Sequence, residues 1–402
     1  MTSVKLQIKT FLENKILPVR AIYISSYIPR RCGIATFTKD LTTAINNQNP
    51  FALSEIIAIN DNGNNYDYPW EVKFRIHPTN PQDYMDSANY INQSSADVVC
   101  LQHEFGLFGG VNGDYILPMI DLIEKPLVVN FHSVLPSPDE HKKYIVKRII
   151  EKASVVVAMT EKSRELLHEV YGADLENIIV VYHGVPDITF EDTAKYKKEL
   201  KIKADHVVFL SGLISRGKGF EYVIEALPEI IQKFPSTQVI IHGATHPSIL
   251  QQEGEAYRES LIKKARKLKV GKNVKFINRY ISLEELVSYY KAADICITPH
   301  LDEQQPTSGT LAYALGTGKV CISTPFFYAK ELLANGVGII VPFRDSKAIS
   351  GSIIDVLSNP DKMMNYRKTA YKIGRTMTWS TVASKYLAIF RSIIKAHNGH
   401  QE

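Results

Sequence analysis

Long apolar runs are missing from this sequence. The longest, such as "SVVVAM" and "ADVVC", are strand-sized, well short of the roughly 18 residues a membrane-spanning helix needs. The start, "MTSVKLQIKTFLENKILPVR", mixes Lys and Glu among its apolar residues and lacks the unbroken apolar core of a secretory signal. These two absences lead us to expect a cytoplasmic protein with an amphipathic N-terminal segment, no membrane span, and peripheral membrane contact left open. Cysteine is scarce. The four, at positions 32, 100, 296 and 321, form no CxxC pair, so a zinc site or redox dithiol has no support. Charge of one sign is also thin: 47 basic against 42 acidic residues give a net +5. That surplus suits an anionic small molecule. It does not demand nucleic acid, for which no motif is present.

What the sequence has is alternation. Apolar β-rich stretches lie at 20–25, 55–59, 96–102, 127–132, 153–159 and 178–182. A second series follows at 206–211, 238–243, 273–278, 294–299, 319–323 and 338–342. Near-continuous apolar strands are what a sheet covered on both faces requires. The segments between them carry helical periodicity. In "GFEYVIEALPEIIQKF", Phe220, Val223, Ile224, Leu227, Ile230, Ile231 and Phe234 make one apolar stripe; in "TFTKDLTTAI", Phe37, Leu41 and Ile45 repeat every four residues. Strand and helix in repeated alternation mean parallel sheets with right-handed crossovers. A dozen strands fit two such domains better than one. The natural break is the polar, Lys-rich, strand-free stretch 183–206, and the segment from about 377 is helical.

Open parallel sheets present ligands to the carboxyl ends of their strands, so the residues just past each strand deserve reading. After the first come Arg30, Arg31, Cys32 and Gly33; a Gly before a helix lets a ligand approach the backbone, and a helix N-terminus favours anions. A plain turn with solvated arginines would also account for this run. His103 and Glu104 head the Gly-rich loop "HEFGLFGGVNGDY", which could wrap a polar ligand such as a sugar; no second His at i+4 supports a metal. His132 ends the fourth expected strand. Gly212, Arg216, Gly217, Lys218 and Gly219 follow the first strand of the second series. Two cations ahead of a helix suit a diphosphate, although the run is neither a Walker loop nor a dinucleotide fingerprint. Finally "HLDEQQPTSGTLAYALGTGK" offers Glu303, Gln305 and a Ser308-Gly309-Thr310 helix start, a second anion cradle. An N-cap serine alone would explain Ser308, but not the acid and amide run before it.

These stretches, with "VIIHGAT", "VVYHGVPD" and "ELLANGVGIIVPFRDSKAIS", resemble the GT-B glycosyltransferases, in particular the retaining family 4 (group 1) enzymes, over nearly the whole chain. The resemblance implies two Rossmann-like parallel-sheet domains facing a central cleft. It places an acceptor-binding domain at 1–190, a donor-binding domain at 191–376, and a helix at 377–402 that packs back on the first. It implies transfer of a hexosyl group from a nucleotide-diphosphate sugar to a sugar or glycan hydroxyl, with retention and with neither a metal nor a separate cofactor. Arg216 and Lys218 would grip the diphosphate and His132 would approach the transferred sugar. Gly33, Gly212, Glu303, Gln305, Ser308, Gly309, Thr310 and Tyr313 would line the donor, and His103 and Glu104 the acceptor side. The chain departs from the family at three places. Leu213 stands where an Arg is common. Gln305 and Tyr313 stand where two Glu residues, seven apart, usually contact the donor sugar and the ribose. The missing ribose carboxylate keeps a glycoside phosphorylase, acting with phosphate or a sugar 1-phosphate on the same fold, as the alternative. Oligomeric state is left open.

Overall fold

The computed structural model describes residues 18–399 except 62, 64 and 246. Most of the amphipathic N-terminal segment therefore lies outside the described residues. The chain forms two compact units, residues up to Tyr182 together with those from Trp379, and His183–Thr378.

The first unit holds β1 (Ala21–Ser25), β2 (Glu55–Ile59), β3 (Val72–Ile76), β4 (Val98–His103), β5 (Leu127–Phe131), β6 (Val155–Ala158) and β7 (Ile178–Val180). Among the described residues they make a seven-stranded parallel sheet in the order β3-β2-β1-β4-β5-β6-β7. The crossovers carry α1 (Gly33–Gln48), α2 (Pro81–Gln93), α3 (Ile116–Leu122), α4 (Glu140–Lys152) and α5 (Glu161–Glu169). All twelve expected strands are present across the two sheets; β3 is an addition. Its sequence VKFRI exposes Lys73 and Arg75 on the outermost strand. Charged side chains on an edge strand discourage pairing with another chain, and they also erase the apolar run by which the other strands were read.

The second unit holds β8 (His206–Ser211), β9 (Thr237–His242), β10 (Val274–Ile277), β11 (Ile295–Thr298), β12 (Val320–Ser323) and β13 (Ile339–Ile340), in the parallel order β10-β9-β8-β11-β12-β13. Its helices are α6 (Thr193–Glu199), α7 (Phe220–Lys233), α8 (Pro247–Glu253), α9 (Ala256–Lys267), α10 (Leu283–Ala292), α11 (Gly309–Gly316), α12 (Phe327–Leu332), α13 (Ser346–Leu357) and α14 (Pro360–Arg375). The α7 stripe behaves as its periodicity requires: Phe220, Val223, Ile224, Leu227 and Ile230 are buried against Val208, Leu210 and Val239 of the sheet. Each such side chain contributes about 1.5–3 kcal/mol by leaving water. The strand-free stretch after residue 183 contains α6, tied to the core by charge. Buried Asp294 accepts from Lys197 Nζ at 2.7 Å, from the Val207 N–H at 2.7 Å and from Thr193 Oγ1 at 3.3 Å. A buried carboxylate is tolerable only when paired in this way.

The last helix, α15 (Trp379–Gly399), belongs to the first unit. Trp379, Val382, Ala383, Tyr386, Leu387 and Phe390 share a core with Tyr23, Phe37, Leu41 and Ile45. Gln48 Nε2 of α1 donates to the Ser380 carbonyl at 2.7 Å. The expectation of a C-terminal helix returning to the N-terminal domain is met. In each sheet the first strand lies in the middle and the order reverses beside it, so the ligand crevices are at the carboxyl ends of β1/β4 and of β8/β11.

Candidate functional site

In the second unit, Gly212 follows β8 with φ +128°. A Cβ there would lie 3.7 Å from Thr310 Cγ2 and 3.9 Å from Lys218 Cε, so Gly212, Lys218 and Thr310 meet at the crevice. The turn Arg216–Lys218 ends on Gly219, whose φ of +65° and whose approach to the Pro299 carbonyl, 2.1 Å from an added Cβ, leave room for glycine alone. Lys218 Nζ stands 3.4 Å from His300 Nε2. Desolvation pulls its pKa down to about 8. Arg216 goes elsewhere. It is exposed, pairs with Glu253 at 2.7 Å, and lies over the Tyr257 ring at 5.1 Å; the Glu253 carboxylate raises its pKa.

The quoted stretch is divided in the same way. Ser308 caps α11, its Oγ accepting from the Leu311 N–H at 3.3 Å and lying 2.9 Å from Thr310 Oγ1. Gly309 presents its Cα to His183, whose Nε2 would be 3.1 Å from an added Cβ. Tyr313 is buried edge-on to Tyr290 and His183. Gln305 donates to the Thr307 carbonyl at 2.8 Å. Glu303, by contrast, is exposed and pairs with Lys330 at 2.6 Å. Lys218, Gly212 and the Ser308–Thr310 start of α11 thus form one site, while Arg216 and Glu303 face other partners.

The first unit's crevice is lined differently. Gly33 opens α1 with nothing within 4 Å of where a Cβ would be, and the helix is capped by Cys32, whose Sγ accepts from the Ala35 N–H at 3.4 Å. Arg30 is turned away to the Ile59 and Asn60 carbonyls at 2.9 and 3.1 Å. His132 Nε2 lies 2.9 Å from Gln102 Oε1, which also accepts from Asn130 Nδ2 at 2.8 Å, and its ring packs edge-on against Phe37. Glu104 accepts from Ser133 Oγ and from the Phe105 N–H at 3.0 Å; burial raises its pKa despite these bonds. His103 presents no surface. It sits among Phe105, Phe108 and Phe131 with ring centroids 5.1–5.8 Å away, and burial drops its pKa to about 3.

Three residues of these sites escaped the reading of the sequence. Gln102 is the strand residue before His103, His183 was quoted without a role, and His300 is the second residue past β11. Position at a strand end was the available signal for His300; for the others only the fold brings the partners together. Among the described residues no three His, Cys, Asp or Glu side chains gather as a metal-holding set, and no helix is long and apolar enough to cross a membrane.

The family comparisons follow the two units. The glycosyl transferases group 1 family matches residues 192–373, and glycosyltransferase family 4 matches 51–187. A D-inositol 3-phosphate glycosyltransferase of Kineococcus radiotolerans is 24% identical over 264 residues, 62% of this chain and 59% of that one. A phosphatidyl-myo-inositol mannosyltransferase of Mycobacterium tuberculosis is 22% identical over 284 residues, 68% of this chain and 69% of that one. Among solved structures, sucrose-phosphate synthase from Thermosynechococcus elongatus superposes with a TM-score of 0.76 at 18% identity, covering 94% of this chain and 100% of that one. Anabaena HepE in complex with UDP and glucose gives 0.71 at 15%, covering 93% and 100%. Identities this low carry the fold rather than the substrate. With one family match on each doubly wound sheet, the chain is a GT-B fold glycosyltransferase that resembles the group 1 and family 4 enzymes.

Proposed function

We propose that the protein transfers a hexosyl group from a nucleotide-diphosphate sugar to a hydroxyl of a sugar or glycan, with retention of configuration. The observation that carries this reading is the second unit's anion site: one desolvated cation, Lys218, beside a glycine-opened crevice and the Ser308-capped start of α11. Fixed positive charge and N–H donors in a low-dielectric crevice stabilise charge as it develops, usually the largest catalytic term in such sites. In the reaction, the acceptor oxygen bonds to the anomeric carbon as the bond to the diphosphate oxygen breaks. The bonding electrons leave with the diphosphate, and the acceptor's proton passes to that departing oxygen. In this reading Lys218 and the α11 start hold the leaving group without the help of a metal. The first unit, with His132 at the end of β5, accepts the hydroxyl substrate. The names of the relatives support a sugar donor and an alcohol acceptor; HepE was solved with UDP and glucose.

One observation favours a second reading, a glycoside phosphorylase. Tyr313, aligned with the family's ribose carboxylate, is buried among rings, and Glu303 is held by Lys330. Thermal-shift measurements with UDP, GDP, ADP and inorganic phosphate separate the two. Stabilisation by a nucleoside diphosphate supports the transferase; stabilisation by phosphate or a sugar 1-phosphate alone overturns it.

A further inference from the structure

The loops after β8 and β11 are stitched to each other. Leu301 N–H donates to the Gly217 carbonyl at 2.9 Å, Gly219 is pressed on the Pro299 carbonyl, and Lys218 Nζ reaches His300 Nε2 at 3.4 Å. Between these points His300 has no freedom to swing. Its side chain is 1% exposed, its ring stacks on Phe326 with centroids 5.1 Å apart and planes 21° apart, and its carbonyl accepts from Thr324 Oγ1 at 2.5 Å.

An ammonium has three donors and no acceptor. At this contact Lys218 must donate and His300 accept, so the ring is neutral with its hydrogen on Nδ1. Burial first, and the Lys218 charge second, push the His300 pKa well below the ordinary histidine value; the Gln305 side chain acts the other way and is outweighed. A lysine stem is rich in rotamers and loses that freedom when its head is held. A fixed acceptor at its tip limits that freedom before any ligand arrives.

We propose that His300 is a positioning residue for Lys218: its Nε2 lone pair holds the ammonium at the crevice, beside Gly212 and Thr310, in the orientation that meets a diphosphate. The inference rests on the role given above to Lys218, and it adds a residue that touches the cation and not the substrate. A site preorganised in this way has less side-chain ordering left to do when the anion binds.

Calorimetric titration with inorganic pyrophosphate, together with turnover, tests it on four chains: wild type, Lys218→Ala, His300→Phe and His300→Gln. Phenylalanine keeps a ring on Phe326 and removes the acceptor; glutamine, whose Oε1 reaches the position of the histidine Nε2, restores an acceptor. The expected result is a loss of pyrophosphate affinity of about 5-fold or more in His300→Phe, the order of one modest hydrogen bond, with His300→Gln recovering to within about 3-fold of wild type. A purely structural role would not be rescued by an acceptor alone. Wild-type affinity in His300→Phe, alongside weakened binding in Lys218→Ala, overturns the positioning role and leaves the anion site standing. Wild-type affinity in Lys218→Ala overturns the anion site itself. Should His300→Phe fail to fold, His300→Gln decides alone: a folded His300→Gln protein binding as poorly as Lys218→Ala overturns the proposal, and retained affinity supports it.

Discussion

The two units share a strand order and differ in what they place at its switch point. At β8/β11 the second unit sets a cation, hydroxyls and a helix start around a glycine. At β1/β4 the first unit sets an imidazole–amide chain, His132–Gln102–Asn130, and a carboxyl whose pKa burial raises. Charge does not follow from the fold, then, but from the few residues past each strand. In the function proposed above, the second crevice takes the anion and the first the hydroxyl substrate. The difference also explains why a small net charge is enough: the positive potential that matters is local and desolvated, where it acts most strongly.

The comparison is broken most directly at Lys218. Lys218→Ala removes the cation from the second crevice. Turnover is expected to fall at least about 100-fold, in the range seen when a charge-stabilising donor is removed. Nucleoside diphosphate stabilisation in a thermal-shift assay should shrink with it. Near wild-type activity would show that the two crevices do not divide the work by charge. Arg216→Ala is the contrasting variant: with its guanidinium held by Glu253, it should retain most of the activity that Lys218→Ala loses.

The glycines sharpen the same contrast. Gly219→Ala forces φ +65° on an L-residue and drives a Cβ into the Pro299 carbonyl; a loss of about 1–3 kcal/mol is expected from the backbone alone, read as a lower urea midpoint. Gly33→Ala meets nothing within 4 Å, so its midpoint should stay at the wild-type value. Any loss of activity there reports close approach of a ligand. A smaller effect is expected at Gln102. Gln102→Leu removes the acceptor from His132 Nε2, and about 10-fold lower turnover, one net hydrogen bond, should come with a change in the His132 ring nitrogen shifts by NMR. Unchanged shifts would separate Gln102 from the ring.

The sheets were legible because most of the strands are largely apolar, a consequence of helices on both faces; even β10, with exposed Lys275, keeps three apolar residues of four. Strand β3 was not, since its Lys73 and Arg75 face solvent at an edge. Of the residues expected at the donor, Gly212, Lys218 and Thr310 are brought together by the loops that follow β8 and β11. Arg216 looked equivalent to Lys218, two residues away. What separates them is Glu253, 37 positions later, a pairing no local pattern announces. Glu303 likewise pairs with a residue distant in sequence, Lys330, 27 positions on. His300 stood in plain view as the first letter of a quoted stretch, but its role depends on a lysine 82 positions earlier.

The smallest effect concerns pH. Lys319, at the amino end of β12, is buried with Nζ on the Lys291 carbonyl at 2.9 Å, and burial, then Arg367, lowers its pKa to about 7. An unfolded lysine titrates near 10.4. Between these values the unfolded chain binds more protons than the folded one, so stability rises with pH. Below about pH 7 both forms are charged and the full cost of burying the ammonium remains. Lys218, lowered to about 8, adds the same sign within the same unit. In the first unit Glu104 has the opposite sign: a raised carboxyl loses stability as pH climbs through the carboxylate range. From pH 7 to 8.5, protection relative to the intrinsic exchange rate should rise in β11 and β12, while β4 and β5, where no lysine of lowered pKa is found among the described residues, should show no matching rise. Lys319→Met should raise the unfolding midpoint at pH 7 and reduce the slope in the second unit, leaving the part due to Lys218. A slope unchanged by Lys319→Met would place the source of the pH dependence elsewhere.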